Sequence, residues 1–362
     1  MDIEDYLIEK QQHLARNTSQ VRDFRVFDFN HIPPKPLMRE EAKPVIDALL
    51  RYRHTGIANN VLILGCRGSG KSLMARYLMN LLGGRGGLDF AYANCRQSNT
   101  SFSVLASVLG VRPRGVSLKE LWSRFTDLHR GRLVFILDEI DLMSDRDKNK
   151  DILYLLSRSP NNYMLVLLSN NPKFYQSLDQ STQSTLQPAV VHFRNYDAVE
   201  LQQILADRAK RGLRSVPAGI INEIAAMTVK NTNSDVRVAI KTLYCWATEP
   251  HTSLKEHFEN ARRDIVVDII RDLNDRNLII LKSAMAEHDG YVKSVYDAYC
   301  RLSTRLNEEP FSYVHFYSNL SYLQSLGLIL LVSTKVARTY TNRIQLTFDP
   351  QVLDMVWSMR FG

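Results

Sequence analysis

Residues 65–72 read Gly65-Cys66-Arg67-Gly68-Ser69-Gly70-Lys71-Ser72, the full G-x-x-x-x-G-K-S pattern of a phosphate-cradling loop. Each residue type in it has a physical task. Glycines allow backbone angles and close approaches that a side chain would block, so successive N–H groups can turn inward onto an anion. Lys71 would reach the outer phosphate oxygens and the Ser72 hydroxyl would ligate Mg²⁺. Gly65, Arg67, Gly68, Ser69, Gly70, Lys71 and Ser72 are therefore candidate nucleotide contacts.

The flanks agree with the loop. Asn60–Leu64 is a short apolar run of the kind that forms a buried parallel strand, and Leu73–Met79 continues as a helix, giving strand, loop, helix. About 65 residues further on, Leu133–Leu137 is a second apolar strand ending in Asp138-Glu139. Beside a phosphate loop, Asp138 would hold Mg²⁺ through water, and Glu139 would orient and deprotonate an attacking water.

At 362 residues the chain has room for two or three domains. No apolar run approaches the ~20 residues that span a bilayer, so a cytoplasmic, nucleoid-associated protein with no membrane partner is expected. Cys66, Cys95, Cys245 and Cys300 are scattered and suit reduced thiols, with no zinc spacing. The net charge is +8, yet Arg263 to the end carries 11 basic and 11 acidic residues. The excess, which suits a polyanionic partner or a generic solvated surface, therefore lies in residues 1–262.

Periodicity predicts a polar arm over residues 1–30 and a proline-rich entry at 31–36. A helix from Arg39 to about Tyr52 precedes the loop strand. Strands follow near 90–94, 133–138, 163–170 and 190–193, with helices near 99–110, 117–129 and 147–158. Strands alternating with helices imply an α/β, doubly wound parallel sheet of about five strands. From Asp197 the pattern is helical: 197–211, 217–228, 234–247 and 255–272. Three further helices (278–287, 292–306, 312–326) and two strands (327–332, 343–348) follow, in winged-helix order. The expected domains are 1–196 (sheet with arm), 197–262 (all-α lid) and 263–362 (winged helix).

This combination resembles the archaeal replication initiators of the AAA+ class, relatives of the largest origin recognition complex subunit and of the eukaryotic licensing loader. The markers are Pro33 through Arg39-Glu40-Glu41, the loop, Leu137-Asp138-Glu139-Ile140-Asp141, Ser169-Asn170-Asn171, Asn195-Tyr196-Asp197-Ala198 and Ser234-Asp235-Val236-Arg237. The resemblance implies an ATPase in which bound ATP or ADP with Mg²⁺ is a slow conformational switch. Its implied partners are double-stranded origin DNA, the replicative helicase and other initiator copies. It makes Asn170 a sensor of the γ-phosphate, although a strand-ending asparagine reads the same way. Arg237 becomes a second sensor, or else a surface ion pair, with Asn233 or Ser234 capping its helix. Tyr196 and Arg208 would approach the nucleotide and Ile32 and Pro33 would line the adenine pocket; all four also read as plain packing.

For DNA, Ser312, Tyr313 and His315 open the candidate recognition helix, and Lys335, Arg338 and Arg343 sit in a basic wing turn. Arg112 and Arg114 offer a second contact or a solvated loop. One departure stands out. The family carries an arginine after Asn170 that completes a neighbouring subunit's site, but Leu178–Leu186 has no basic residue. Two other readings fit the same motifs: a mobile-element or partition ATPase that binds DNA without sequence preference, and a signalling ATPase whose winged helix contacts protein.

Overall fold

The computed structural model describes every residue except 1, 9–17, 19, 85–86, 113–114, 145–146, 148–149, 250, 337–338 and 362, and only the backbone of 335–336 and 339–340. The chain forms two compact units, Pro34–Arg194 and Met1–Pro33 with Asn195–Gly362.

The first unit is a five-stranded parallel sheet. Its strands are β1 (Val61–Gly65), β2 (Leu88–Asn94), β3 (Arg132–Asp138), β4 (Met164–Ser169) and β5 (Ala189–Phe193), in the order β2-β3-β4-β1-β5. Strand side chains alternate between faces, and here both faces are covered. Val61, Ile63, Val134, Ile136, Val166 and Leu168 pack with α1 (Ala42–Thr55) and α2 (Lys71–Leu82). Leu62, Leu64, Phe135, Leu137, Leu165 and Leu167 pack on the other side. That side is closed by α3 (Ser101–Val108), α4 (Leu118–Leu128), α5 (Asp151–Ser157) and α6 (Gln180–Leu186). Double coverage is why β1, β3 and β4 read as continuous apolar runs and not as alternating ones. Helix α6 was not anticipated; Asp179 caps it by accepting from the Thr182 N–H.

The second unit is helical with one hairpin. Its lid part holds α7 (Ala198–Gly212), α8 (Ala218–Asn231), α9 (Val236–Thr248) and α10 (Leu254–Arg271). The winged helix follows as α11 (Asp275–Ala286), α12 (Val292–Arg305), α13 (Tyr313–Ser325), β6 (Ile329–Val336), β7 (Thr339–Leu346) and an unanticipated α14 (Pro350–Phe361). One apolar core runs from Val238 and Phe258 through Leu278, Tyr299, Phe316 and Leu323 to Leu353. The segments expected as separate lid and wing therefore share their interior. Among the described residues no helix is long and apolar enough to cross a membrane.

Described residues of the arm pack with the helical unit. Val21 bridges to Leu213, Arg22 N donates to Gly212 O and Arg214 N donates to Gln20 O. The Arg208 guanidinium, 4 % exposed, donates to the carbonyls of Val26, Asp28 and His31. Three backbone acceptors satisfy a buried cation that would otherwise be costly, and they fix residues 26–31 against α7.

Gly212 lets this arm approach. Alanine normally stabilises a helical position relative to glycine by about 1 kcal/mol. Here its Cβ would lie 2.3 Å from Val26 Cγ2 and 2.9 Å from Phe27 Cε2, both in buried side chains. Overpacking of that kind costs about 1–3 kcal/mol, so the steric effect wins. Gly212→Ala should lower the unfolding free energy in a denaturant titration; equal or higher stability would show that the arm does not seat there.

Candidate functional site

The C-terminal ends of the parallel strands gather the motif residues. The register pairs Asn94 with Asp138, Leu64 with Ser169 and Gly65 with Phe193. Strand β1 lies between β4 and β5, and β4 lies beside β3. The loop after β1, the carboxylates after β3 and Asn170 after β4 therefore emerge on one edge, where open α/β sheets bind ligands.

Two glycines of the loop adopt left-handed angles, Gly68 at φ 76° and Gly70 at φ 88°, where a Cβ is unfavourable. Gly65 faces a different constraint: an added Cβ would lie 2.5 Å from the Phe193 carbonyl oxygen. Lys71 is the first residue of α2 and is 6 % exposed. Its Nζ donates to Gly65 O at 2.7 Å, Cys66 O at 2.8 Å and Asn170 Oδ1 at 3.0 Å. Burial lowers its pKa to about 8, with the Asp141 and Asp138 charges opposing. These are donors directed into a loop whose own carbonyls occupy them, and an anionic phosphate is a stronger acceptor than a carbonyl.

Ser72 Oγ donates to Asp138 Oδ1 at 3.0 Å, and the Tyr92 hydroxyl donates to Asp138 Oδ2 at 2.8 Å. Asp138 is 2 % exposed; burial raises its pKa, and the bonds from Tyr92 and Ser72 pull it back. One hydroxyl beside one carboxylate fits Mg²⁺, which keeps several waters and takes its other ligands from phosphate oxygens. Ser72 and Asp138 could hold such an ion, whose charge would neutralise the phosphates.

Glu139 has φ 53°, an uncommon angle for a residue with a side chain. Both oxygens are engaged: Arg96 donates from Nε to Oε2 and from Nη2 to Oε1, each at 3.0 Å. Asn94 Nδ2 adds a bond at 3.3 Å and Arg67 stands 3.9 Å away. In this arrangement Glu139 is a paired carboxylate, and it must exchange part of that pairing for a water before it can act as a base. Asn170 is held from both sides, its backbone N–H donating to Asp141 Oδ1 at 3.0 Å while its amide oxygen accepts from Lys71.

Five residues that the sequence did not single out as site residues belong to this edge. Tyr92, Asn94 and Arg96 bear on the two carboxylates, and Asp141 orients Asn170. Arg39 is 3 % exposed; it donates to Ser69 O and Arg194 O at 2.9 Å each and pairs with Glu41 at 3.1 Å. It thereby ties the loop backbone to the chain after β5. Arg39 and Asp141 lay inside quoted motifs, which was a signal. Tyr92 and Arg96 had none beyond flanking a strand end.

Apart from Arg112 and Arg114, the remaining candidates belong to the helical unit. Arg237 pairs with Asp235 (2.9 Å), which is also the N-cap of α9; the expected caps Asn233 and Ser234 do not serve there. Tyr196 and Pro33 are buried and Ile32 is half-buried. Arg208 holds the arm, the packing alternative. In the winged helix Ser312 caps α13 by accepting from the His315 N–H. Tyr313 packs edge-on against Tyr296 at 5.0 Å, and His315 is exposed. The hairpin is longer than expected, pairing Lys335 with Tyr340 and Val332 with Arg343. Lys335 and Arg343 are thus strand residues and not turn residues, and Arg343 donates to the His288 carbonyl at 3.3 Å. Arg112 is exposed. Arg114 and Arg338 lie outside the described residues, as does the Lys335 side chain.

Known proteins match this arrangement. A family profile described as an AAA domain matches residues 55–178. An ORC1-type DNA replication protein of Desulfurococcus amylolyticus is 25 % identical over 366 residues, 91 % of each chain. ORC1-type DNA replication protein 3 of Saccharolobus solfataricus is 28 % identical over 292 residues, covering 74 % of this chain and 73 % of its own. The solved structure of the Aeropyrum pernix ORC1 protein in complex with DNA superposes with a TM-score of 0.66 and 25 % identity, covering 94 % of this chain and 97 % of that one.

Arg39 generates a stability test. Removing it deprives two carbonyls of their buried donor and leaves Glu41 with the more exposed Arg194 guanidinium, 3.2 Å away; full loss of a buried partner costs about 3–5 kcal/mol, which is the upper bound here. Arg39→Ala should lose stability within that bound. Arg39→Lys should rescue little, because one ammonium cannot span Ser69 and Arg194 as a guanidinium does. Full rescue by lysine in thermal melts would contradict the bridging role.

Proposed function

We propose that this chain, an AAA+ protein that resembles the archaeal ORC1-type initiators, is an ATP-dependent replication initiator that binds duplex origin DNA. Its bound nucleotide acts as a slow conformational switch. The observation that carries the proposal is the convergence of Lys71, Ser72, Asp138, Glu139 and Asn170 on one sheet edge, in a chain similar along nine-tenths of its length to an ORC1-type protein. In this reading the loop N–H groups and Lys71 bind the phosphates of ATP or ADP. Ser72 and Asp138 hold Mg²⁺, and Tyr92 keeps the Asp138 carboxylate oriented. Glu139, once released by Arg96, takes the proton of the attacking water, and Asn170 orients that water without adding charge. The resemblance also assigns nucleotide contacts to Arg237, Ile32 and Pro33. The winged helix holds duplex DNA, and recruitment of the replicative helicase follows from the same likeness.

Slow turnover follows from what α6 lacks. Its sequence, Gln-Ser-Thr-Gln-Ser-Thr-Leu, offers no cation to a neighbouring subunit, and an arginine supplied that way is worth roughly 10³–10⁵ in rate. Turnover per molecule should stay constant as protein concentration rises, measured as phosphate release across a hundredfold dilution series. A steep rise would require a finger from elsewhere in the chain.

Two substitutions test the site itself. Lys71→Ala should abolish binding of a fluorescent ATP analogue. Glu139→Gln should retain binding and lose about 10²-fold or more in hydrolysis, the usual contribution of a general base; unchanged hydrolysis would remove the base assignment. Footprinting on the organism's own origins tests the role. Discrete protected sites with ATP present are expected. Uniform, strongly salt-dependent coverage would favour a sequence-independent DNA-binding ATPase.

A further inference from the structure

Helix α13, Tyr313 to Ser325, contains no charged residue, and no acidic residue occurs between Glu309 and Asp349. Basic residues in that stretch are confined to the wing. The helix therefore brings neither the arginine that reads guanine nor a carboxylate that would repel phosphate. Apart from the exposed His315 imidazole, several of its polar groups near the N-terminal tip are engaged internally. The Ser312 hydroxyl caps the helix, the Asn319 amide donates to the His315 carbonyl at 2.9 Å, and the Tyr317 hydroxyl accepts from the Asn342 amide. Tyr313 is anchored against Tyr296.

Val314 is different. It is 79 % exposed in the first turn of the helix, the turn whose residues meet base edges in helix-turn-helix proteins. Phe316, Leu320 and Leu323 are fully buried, and the ~3.6-residue period puts Val314 on the opposite side of the helix from them. Ser318 and Ser321 follow on the same outward line, small enough to let the helix approach a groove floor. A β-branched side chain gains nothing in helix propensity at such a position. The one apolar feature of the DNA major groove is the C5 methyl group of thymine.

We propose that Val314 is a specificity-determining residue that packs against a thymine methyl group in the major groove, so that this helix selects thymine by apolar contact and not by hydrogen bonding. The proposal rests on the winged helix being the DNA-binding element. It predicts that the bound sequence is constrained to thymine beneath the helix tip, with neighbouring positions read weakly by serine hydroxyls or through DNA shape.

The test uses the full chain with ATP and Mg²⁺ on a duplex selected by it from a randomised pool, with thymines replaced one at a time by uracil. Uracil lacks only the methyl group. At one position the wild-type chain should lose about fourfold in affinity, the order expected for one buried methyl. Val314→Ser should bind the thymine duplex about fourfold more weakly and be indifferent to uracil at that position, while Val314→Thr, which keeps a methyl, retains part of the discrimination. Val314 is solvent-exposed, so equal melting temperatures are expected for all three proteins. A wild-type chain that binds but is indifferent to uracil everywhere, or a Val314→Ser protein that keeps the full uracil penalty, overturns the proposal alone. Failure to bind any duplex overturns the DNA-binding reading as well.

Discussion

The nucleotide-facing edge is organised around one buried cation. Lys71 lies at the start of α2 with its ammonium almost out of water, held by the carbonyls of Gly65 and Cys66 and the amide oxygen of Asn170. An unpaired charge in such a place is prohibitive, which is why its pKa falls and why those three oxygens accept from it. The cost also explains the geometry around it. Gly65 must lie against the Phe193 carbonyl, Arg39 must fix Ser69, and Asp141 must hold the Asn170 backbone. A phosphate arriving at the loop would replace neutral acceptors with an anion. The same constraint that shapes this edge thus prepares it for nucleotide.

Much of this was legible in the sequence, for a physical reason. Strands buried on both faces are uniformly apolar, so β1, β3 and β4 stand out, and the polar residue that ends each one marks the ligand edge. Other elements carried weaker marks. Helix α6 is nearly all Gln, Ser and Thr and buries Thr182 and Leu186, so no apolar period announced it; only its Asp179 cap did. Helix α14 had a readable start in Pro350 at the first helical position. The hairpin ran longer than expected because the stretch from Ser333 to Thr341 holds no glycine, proline or asparagine to mark where pairing stops.

Side-chain roles were harder to read than elements. Arg208 and Arg237 look alike in sequence, each an arginine on a lid helix. Arg208 satisfies three carbonyls of an arm some 180 residues earlier in the chain, which no local pattern reveals. Arg237 pairs with the residue that caps its own helix. The Arg96 grip on Glu139 joins residues 43 positions apart, which the dipeptide Asp-Glu does not advertise. The charge pattern of the winged helix was plain from composition, but not that Val314 would be the most exposed large apolar side chain among its described residues.

The central claim is that nucleotide state and DNA binding are coupled. Such coupling is a free energy, and it appears as a ratio of affinities. The direct measurement is the dissociation constant of the full chain for one origin duplex at fixed salt with a non-hydrolysable ATP analogue, with ADP and with no nucleotide. The account predicts that the ATP-analogue and ADP states differ by about fivefold or more. Equal affinities in all three states, with nucleotide binding intact, would contradict it.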